Sequence, residues 1–394
     1  MIQMIVEIII VILGLLANLL LFYRFPRLPK AGIGVSRSVS DIPKAASCVP
    51  GEPVAVNRDL PTVSVIIPAR NEEKNLPLLL ADLQNQSFKP LEIICVDDDS
   101  GDATARIASD FGVRVLSLHD KPSGWTGKTW AAQNGADKAS GELLIFLDAD
   151  VRLGKDGLLR LVLAYTEQKQ TISVQPYHAT KRPHEQFSLL FNLIQIAANG
   201  AALPKPLSIG LYGPVILIPR SDYDRIGGHE SVRKNIVEDM ALGQRLKSAG
   251  LPYRLYIGDS GISFRMYADG FKSLYRGWVK NIAAGAAKTP LPLFALVFVW
   301  IASMISVPVH AAVFAIAGNL PWLLLYTLFY VVWVLALLSL SKKAGRFRPL
   351  AVILYPVLLL VLLTVFFISL FKKIFGLNVI WKDRKIGRED KTCG

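Results

Sequence analysis

Apolar positions fall into two regimes along this chain. Residues 4–23 form a long apolar run whose only charge is Glu7, and three further runs follow at about 291–317, 321–340 and 349–371. Each is long enough to cross a bilayer as a helix. Between them, over about residues 57–285, short β-branched runs alternate with segments of helical period. Residues 63–67 predict a buried strand that stops at Pro68, and 72–86 predict a helix with Leu76, Leu79, Leu80 and Leu83 on one face. Strands at 91–96, 113–118 and 142–147 alternate with helices at 103–111 and 127–139. Such alternation implies βαβ units, and hence an α/β domain on a mainly parallel sheet.

This pattern divides the chain into an N-terminal transmembrane anchor (1–24), a juxtamembrane linker (25–60), an α/β domain (61–285), about three C-terminal transmembrane helices (286–372) and a basic tail (373–394). A cleaved signal peptide carries its positive charge before the apolar run. Here Arg24, Arg27, Lys30 and Arg37 come after it, so the run is an uncleaved anchor. The positive-inside rule then places the α/β domain in the cytoplasm, together with the loop that carries Lys342, Lys343, Arg346 and Arg348. One conflict follows. Four spans leave the tail outside, whereas Lys372, Lys373, Lys382, Arg384, Lys385 and Arg388 argue that it is inside. Either one run is re-entrant or lies along the surface, with Pro356 marking the last run, or the tail breaks the rule.

Composition adds two constraints. The net charge of +13 calls for an anionic partner. Much of it borders apolar spans, which points to anionic lipid, and no helix-turn-helix, finger or RNA-binding signature points to nucleic acid. Cys48, Cys95 and Cys393 have neither metal-ligand spacing nor a disulfide framework. His178, His184 and His229 contain no pair at metal-ligand spacing.

The chemistry gathers where strands end. Asp148-Ala149-Asp150 closes the strand at 142–147. In extended chain residues i and i+2 face the same way, so both carboxylates can meet one point. Hard oxygen ligands of this kind suit Mg²⁺ or Mn²⁺, and such an ion can neutralise a diphosphate leaving group. Arg70-Asn71-Glu72 and Asp97-Asp98-Asp99 follow two other strands. All three clusters lie at the carboxyl edge of the sheet, the usual ligand edge of α/β folds. Lys128, in Gly124-Trp125-Thr126-Gly127-Lys128, begins a helix, where it serves either a diphosphate or a plain capped loop.

The ordered set Val-Ser-Val-Ile-Ile-Pro-Ala-Arg-Asn-Glu (63–72), Val-Asp-Asp-Asp-Ser (96–100) and Asp-Ala-Asp (148–150) resembles the inverting family 2 glycosyltransferases of GT-A fold. The resemblance implies nucleotide-sugar contacts from Pro68, Arg70, Glu72, Asp97, Asp98, Lys128 and Asp148. It also implies a divalent cation, Mg or Mn, on Asp148 and Asp150, and an acceptor base from Asp239 or its neighbour Glu238. Further motifs narrow it, among them Gly213-Pro214-Val215, Gly227-Gly228-His229, Phe264-Arg265-Met266-Tyr267 and Gly277-Trp278-Val279-Lys280-Asn281. Together they are similar to the diaponeurosporenoate glycosyltransferases of bacterial carotenoid synthesis. That similarity implies transfer of glucose from UDP-glucose to the carboxylate of a carotenoid acid drawn from the bilayer. Another lipid, such as a hopanoid or a sterol-like alcohol, is the alternative acceptor.

Processive relatives carry Gln-x-x-Arg-Trp, whereas this chain has Ser273-Leu274-Tyr275-Arg276-Gly277-Trp278. The departure favours transfer of a single sugar over polysaccharide synthesis. Arg276, Trp278 and Lys280 remain either acceptor or phosphate contacts or the polar and aromatic side of a membrane-surface helix. The apolar segment 187–194 reads as core packing or as an acceptor channel. A sugar nucleotidyltransferase and a non-catalytic membrane scaffold are the remaining rivals. The first lacks its glycine- and arginine-rich signature near the first strand.

Overall fold

The computed structural model describes residues 2–31, 60–235, 237–375, 377, 379–381 and 384–386. Most of the linker expected at 25–60, including Arg37, lies outside the described residues, as do Lys382 and Arg388 of the tail. The chain opens with helix α1 (Ile2–Leu21). The α/β domain runs β1 (Val63–Ala69), α2 (Leu76–Gln84), β2 (Glu92–Asp98), α3 (Thr104–Asp110), β3 (Arg114–Leu118), α4 (Gly127–Lys138), β4 (Leu143–Leu147), β5 (Val151–Leu153), α5 (Gly157–Gln168), β6 (Thr171–Gln175) and β7 (Tyr177–His178). It continues through α6 (Ser188–Asn199), β8 (Val215–Pro219), α7 (Arg220–Arg225), α8 (Glu238–Ser248), β9 (Tyr253–Ile257), β10 (Ile262–Phe264) and α9 (Phe271–Ala286). Helices α10 (Leu291–Ile316), α11 (Leu320–Ala344), α12 (Pro349–Ile353) and α13 (Tyr355–Ile374) follow, then a hairpin of β11 (Val379–Trp381) and β12 (Arg384–Ile386).

Seven strands form one sheet in the order β3-β2-β1-β4-β8-β6-β9. β1 lies parallel to β2 and β4, β2 to β3, and β6 to β9. Only β8 runs against its neighbours β4 and β6, so the sheet is mainly parallel, as the alternating pattern predicts. A second sheet, β5-β10-β7, starts directly after Asp150.

Two expected boundaries shift for local reasons. β1 does not stop at Pro68 but continues to Ala69, with Pro68 opposite Val96 of β2. Its pairing with β4 has already ended at Ile66, so the missing N–H interrupts no ladder on that side. α2 begins at Leu76 rather than at residue 72, because the preceding residues are held in a turn: Asn71 is left-handed (φ 52°) and the amides of Glu72 and Glu73 bond to Thr104 and Asp102. The four leucines of the predicted face are its buried residues.

Strand alternation gives the sheet two apolar faces. Val65, Ile67, Cys95 and Ile145 pack under α2 and α5. Ile66, Val96, Phe146 and Ile216 join a core that continues without a break through α6 and α9 into α10, α11 and α13. The α/β domain and the long apolar helices therefore share one hydrophobic interior.

Among the described residues four helices are long and apolar enough to cross a membrane: Met4–Leu21, Leu291–Ile316, Leu320–Ala344 and Tyr355–Ile374. α1 lies along α10, where Trp300 donates to Asn18 Oδ1 at 3.0 Å and Ser303 Oγ to the Val11 carbonyl at 3.2 Å. A Cβ on Gly14 would lie 2.4 Å from Ser303 Oγ, so the approach needs glycine. The segment after α1 binds the α/β domain and its neighbours. The Arg24 amide donates to the Ala202 carbonyl, and the Arg27 guanidinium to the carbonyls of Ile257 and Lys343. The last apolar run is interrupted, as Pro356 suggested. α12 gives way to α13 at Leu354, so Pro356 occupies a first helical turn, where its missing N–H has no partner to lose.

Candidate active site

The strand ends named from the sequence meet at a single cavity of about 2370 Å³. That exceeds twice the upper end of ordinary small-molecule pockets, about 300–1,000 Å³. One end is polar. Pro68, Arg70, Glu72 and Asp98 line it, at the carboxyl ends of β1 and β2. Arg70 donates to the Asp98 carbonyl at 2.7 Å and pairs with Asp99 at 3.7 Å, which ties the two strand ends together. The Glu72 carboxylate accepts from Asn75 at 2.8 Å. Asp97 lies behind the wall, 5% exposed, and its Oδ1 finds no hydrogen-bond partner among the described residues.

Asp148 and Asp150 also line the cavity, although by a different route from the one the sequence implied. β4 ends at Leu147, and Asp148-Ala149-Asp150 is the turn between the two sheets rather than extended chain. The i, i+2 alternation therefore does not aim these side chains. The turn is fixed by backbone bonds instead: the Asp148 amide to the Pro214 carbonyl at 2.9 Å, and the Val151 amide back to the Asp148 carbonyl at 3.1 Å.

Lys128 and the acids of α8 complete the centre. Thr126 caps α4 by accepting from the Thr129 amide, so the loop is a helix cap. Its lysine nonetheless reaches the cavity, 2.6 Å from Asp148 Oδ1 and 3.3 Å from Glu238 Oε1. Burial lowers the Lys128 pKa, but Asp148 and Glu238 outweigh burial and hold the ammonium firmly charged. Glu238 and Asp239 form the first turn of α8. Burial raises the Glu238 pKa, yet Lys128 and Lys280 bring it below the usual carboxylate value. Asp239 goes the other way: burial and the neighbouring Glu238 charge push it up to about 6. Gly213 permits this assembly, since a Cβ there would come 2.9 Å from Asp239 Oδ2 and 3.3 Å from Lys128 Nζ.

The far end of the cavity is apolar. Trp278 lines it, 2% exposed and stacked on Phe191 at 4.4 Å. Lys280 of the same helix lines the cavity within reach of the acids, its pKa lowered by burial against the pull of Glu238. Arg276 does not line the cavity, so the structure separates it from the other two expected contacts of α9. Of the segment 187–194, Phe191 and Ile194 face the cavity, whereas Leu189, Leu190 and Leu193 are fully buried in the core. Beyond them the wall passes onto α10 and α13.

None of His178, His184 and His229 lines this cavity. His178 is buried against Phe264 and Phe347 and bonds Asn192. His229 lies beneath the acids, bonded to Tyr223 and set edge-on to Phe146, and burial lowers its pKa to about 4. His184 contacts the Tyr267 carbonyl at 2.9 Å. Sequence reasoning missed the support behind the wall. Glu185, whose side chain is fully buried, accepts from Arg265 at 2.6 and 3.0 Å and so holds the segment ending at Tyr267. Tyr267 takes a left-handed conformation (φ 59°) on the cavity wall, and its ring occupies the place a side chain at Gly277 would need. The pairing spans 80 residues, and no local pattern signals it.

The chain matches the family model described as Glycosyl transferase family 2 over residues 64–227. It is 34% identical over 337 residues to the 4,4'-diaponeurosporenoate glycosyltransferase of Staphylococcus aureus (strain USA300), covering 82% of this chain and 88% of that one. It is 38% identical over 253 residues to the 4,4'-diaponeurosporenoate glycosyltransferase of Staphylococcus haemolyticus (strain JCSC1435), covering 62% of this chain and 67% of that one. Among solved structures it is similar in fold to the mannosyltransferase PcManGT from Pyrobaculum calidifontis in complex with GDP-Man and Mn²⁺. That likeness has a TM-score of 0.54 and 16% identity, and covers 94% of this chain and 99% of that one.

Proposed function

The chain belongs to glycosyl transferase family 2, and we propose that it moves one glucose from UDP-glucose, with inversion, onto the carboxylate of a membrane-borne carotenoid acid. One observation carries this reading: a single cavity joins the acids of the strand ends to an apolar wall on membrane helices. A soluble acceptor would need no such wall. The acceptor class follows from the names of the two staphylococcal relatives.

At the polar end Pro68, Arg70, Glu72 and Asp98 take the nucleoside, the carboxylates accepting a ring N–H or sugar hydroxyls. Lys128 meets the diphosphate by leaving its ion pair with Asp148. Asp148 and Asp150 fit a divalent cation. Among the described residues no group of three His, Cys, Asp or Glu gathers, so from the protein side these two carboxylates alone would hold the ion. Bound there, the ion neutralises charge on the leaving group.

The acceptor carboxylate attacks the anomeric carbon from the side opposite the diphosphate. A C–O ester bond forms as the bond to the β-phosphate oxygen breaks, and UDP leaves with the electron pair. A carboxylic acid of ordinary pKa is already ionised at neutral pH, so no proton has to be removed. Glu238 and Asp239 then shape the acceptor's seat, while Lys280 attracts its charge and Trp278 supports its chain. The catalytic domain faces the cytoplasm, on the side of Arg24 and Lys342. Mass spectrometry of lipids from cells with and without this chain tests the reading. A hexose increment on a polyene acid supports it. An increment on a different lipid keeps the family and discards the acceptor.

A further inference from the structure

By length and composition α13 is a fourth span, since its 20 residues rise about 30 Å. The contacts of the α12–α13 segment place both ends of that segment on one face. α13 begins beside the middle of α11, where Tyr330 stacks on Tyr355 at 5.1 Å and donates to the Ile353 carbonyl at 2.5 Å. Just upstream, the Arg348 amide bonds Gln186 and the Arg346 amide the His178 carbonyl, both at 2.8 Å and both on the α/β domain. α13 ends against α9, with Ser369 Oγ donating to the Val279 carbonyl at 2.5 Å, and β11 packs on that same helix. The opposite face is marked by the turn at Gly318 and Asn319 between α10 and α11.

We propose that α13 is not a span but an arm that returns to the catalytic face, and that the slot between it and α10 is the binding site and side entrance for the apolar chain of a membrane lipid. Phe298 of α10 and Phe367 of α13 both line the cavity, yet they are 63% and 62% exposed, so they stand at its mouth. Every cavity-lining residue of α10 and α13 is apolar, Ile301, Ile305, Leu363 and Phe366 among them. A mouth of this kind turned to water is a liability, whereas acyl chains are as apolar as leucine. The returning arm leaves three spans and sets Lys372 and Lys373 on the same side as Arg24, which removes the charge conflict in the sequence. The entrance rests on the lipid-acceptor reading, and the course of α13 does not.

Two experiments separate these parts. Glu167→Cys, Asn319→Cys and Leu377→Cys, each with Cys48→Ser and Cys393→Ser, are treated with an impermeant maleimide in right-side-out and inside-out vesicles. Leu377→Cys is expected to react from the same side as Glu167→Cys and from the opposite side to Asn319→Cys. Reaction together with Asn319→Cys makes α13 a span and overturns the proposal. For the slot, a photoreactive long-chain carboxylic acid is cross-linked to the intact protein in nanodiscs, a readout that needs no turnover. Adducts on the peptides of Phe298 and Leu363 are expected, and a bismaleimide bridge between Phe298→Cys and Phe367→Cys should reduce them at least tenfold while UDP binding persists. Adducts confined to other surfaces, or undiminished by the bridge, overturn the entrance.

Discussion

Asp239→Asn separates a base from a seat. The Asp239 carboxyl lies near 6 rather than 3.8 because burial and Glu238 disfavour its charge. At pH 7 about one molecule in ten is therefore protonated there, and at pH 5 about nine in ten. Were Asp239 the base for a hydroxyl acceptor, the rate would fall tenfold per pH unit below 6, and the asparagine variant would lose about 10²–10⁴-fold. A carboxylate acceptor brings no such proton. The account therefore expects transfer to a polyene acid to stay within about threefold from pH 7.5 to 5.5, and Asp239→Asn to cost less than about tenfold. The assay is initial-rate transfer of radiolabelled glucose in nanodiscs across that range. A decline with its midpoint near 6 that disappears in the variant would refute the reasoning and assign Asp239 as the base. The same raised pKa makes folding stability depend on pH. A folded pKa above the unfolded value means that this group's stabilisation is complete below about 3.8 and lost as pH rises through about 6. Asparagine resembles the protonated form. The variant should gain up to about 3 kcal/mol above pH 6 and nothing near pH 4, read as a shift in thermal midpoint.

Other substitutions test other parts of the site. Asp150→Ala should reduce product formation at least a hundredfold while the protein still fractionates with membranes, because the site loses half of its carboxylate pair; full activity would remove Asp150 from the site. Gly213→Ala places a methyl 2.9 Å from Asp239 Oδ2 and 3.3 Å from Lys128 Nζ, so kcat/KM should fall about tenfold, with a stability cost of about 1–3 kcal/mol in a melting assay. Glu185→Ala strands Arg265, whose side chain is 28% exposed, and should cost about 3 kcal/mol, the lower end for a broken buried pair; an unchanged melt would show that Tyr267 is held by other contacts.

The sequence carried the α/β half of the fold because its signals are local. Each strand run, the leucine face of α2 and each polar cluster after β1, β2 and β4 is read from a short contiguous stretch of sequence. Part of the lining of the candidate site was legible for the same reason: Glu72, Asp98, Lys128, Asp148, Asp150, Glu238 and Asp239 line one cavity. What could not be read depends on distant pairings. The reversed β8 places Pro214 beside Asp148, so the acid pair is aimed by a turn rather than by strand alternation. Arg276 and Lys280 share a helix, and only packing against Phe191 and α13 decides which of them meets the cavity. The course of α13 is set by α9 and α11, which hydropathy does not register, because an apolar helix scores alike whether it crosses a bilayer or returns.

The most direct test is a reconstitution with purified protein in nanodiscs, UDP-[¹⁴C]glucose, manganese and a long polyene acid. The account predicts one radioactive lipid bearing a single hexose, released by mild alkali as an ester must be. Label that stays with UDP-glucose, runs as a polymer ladder or survives alkali on another lipid would contradict it.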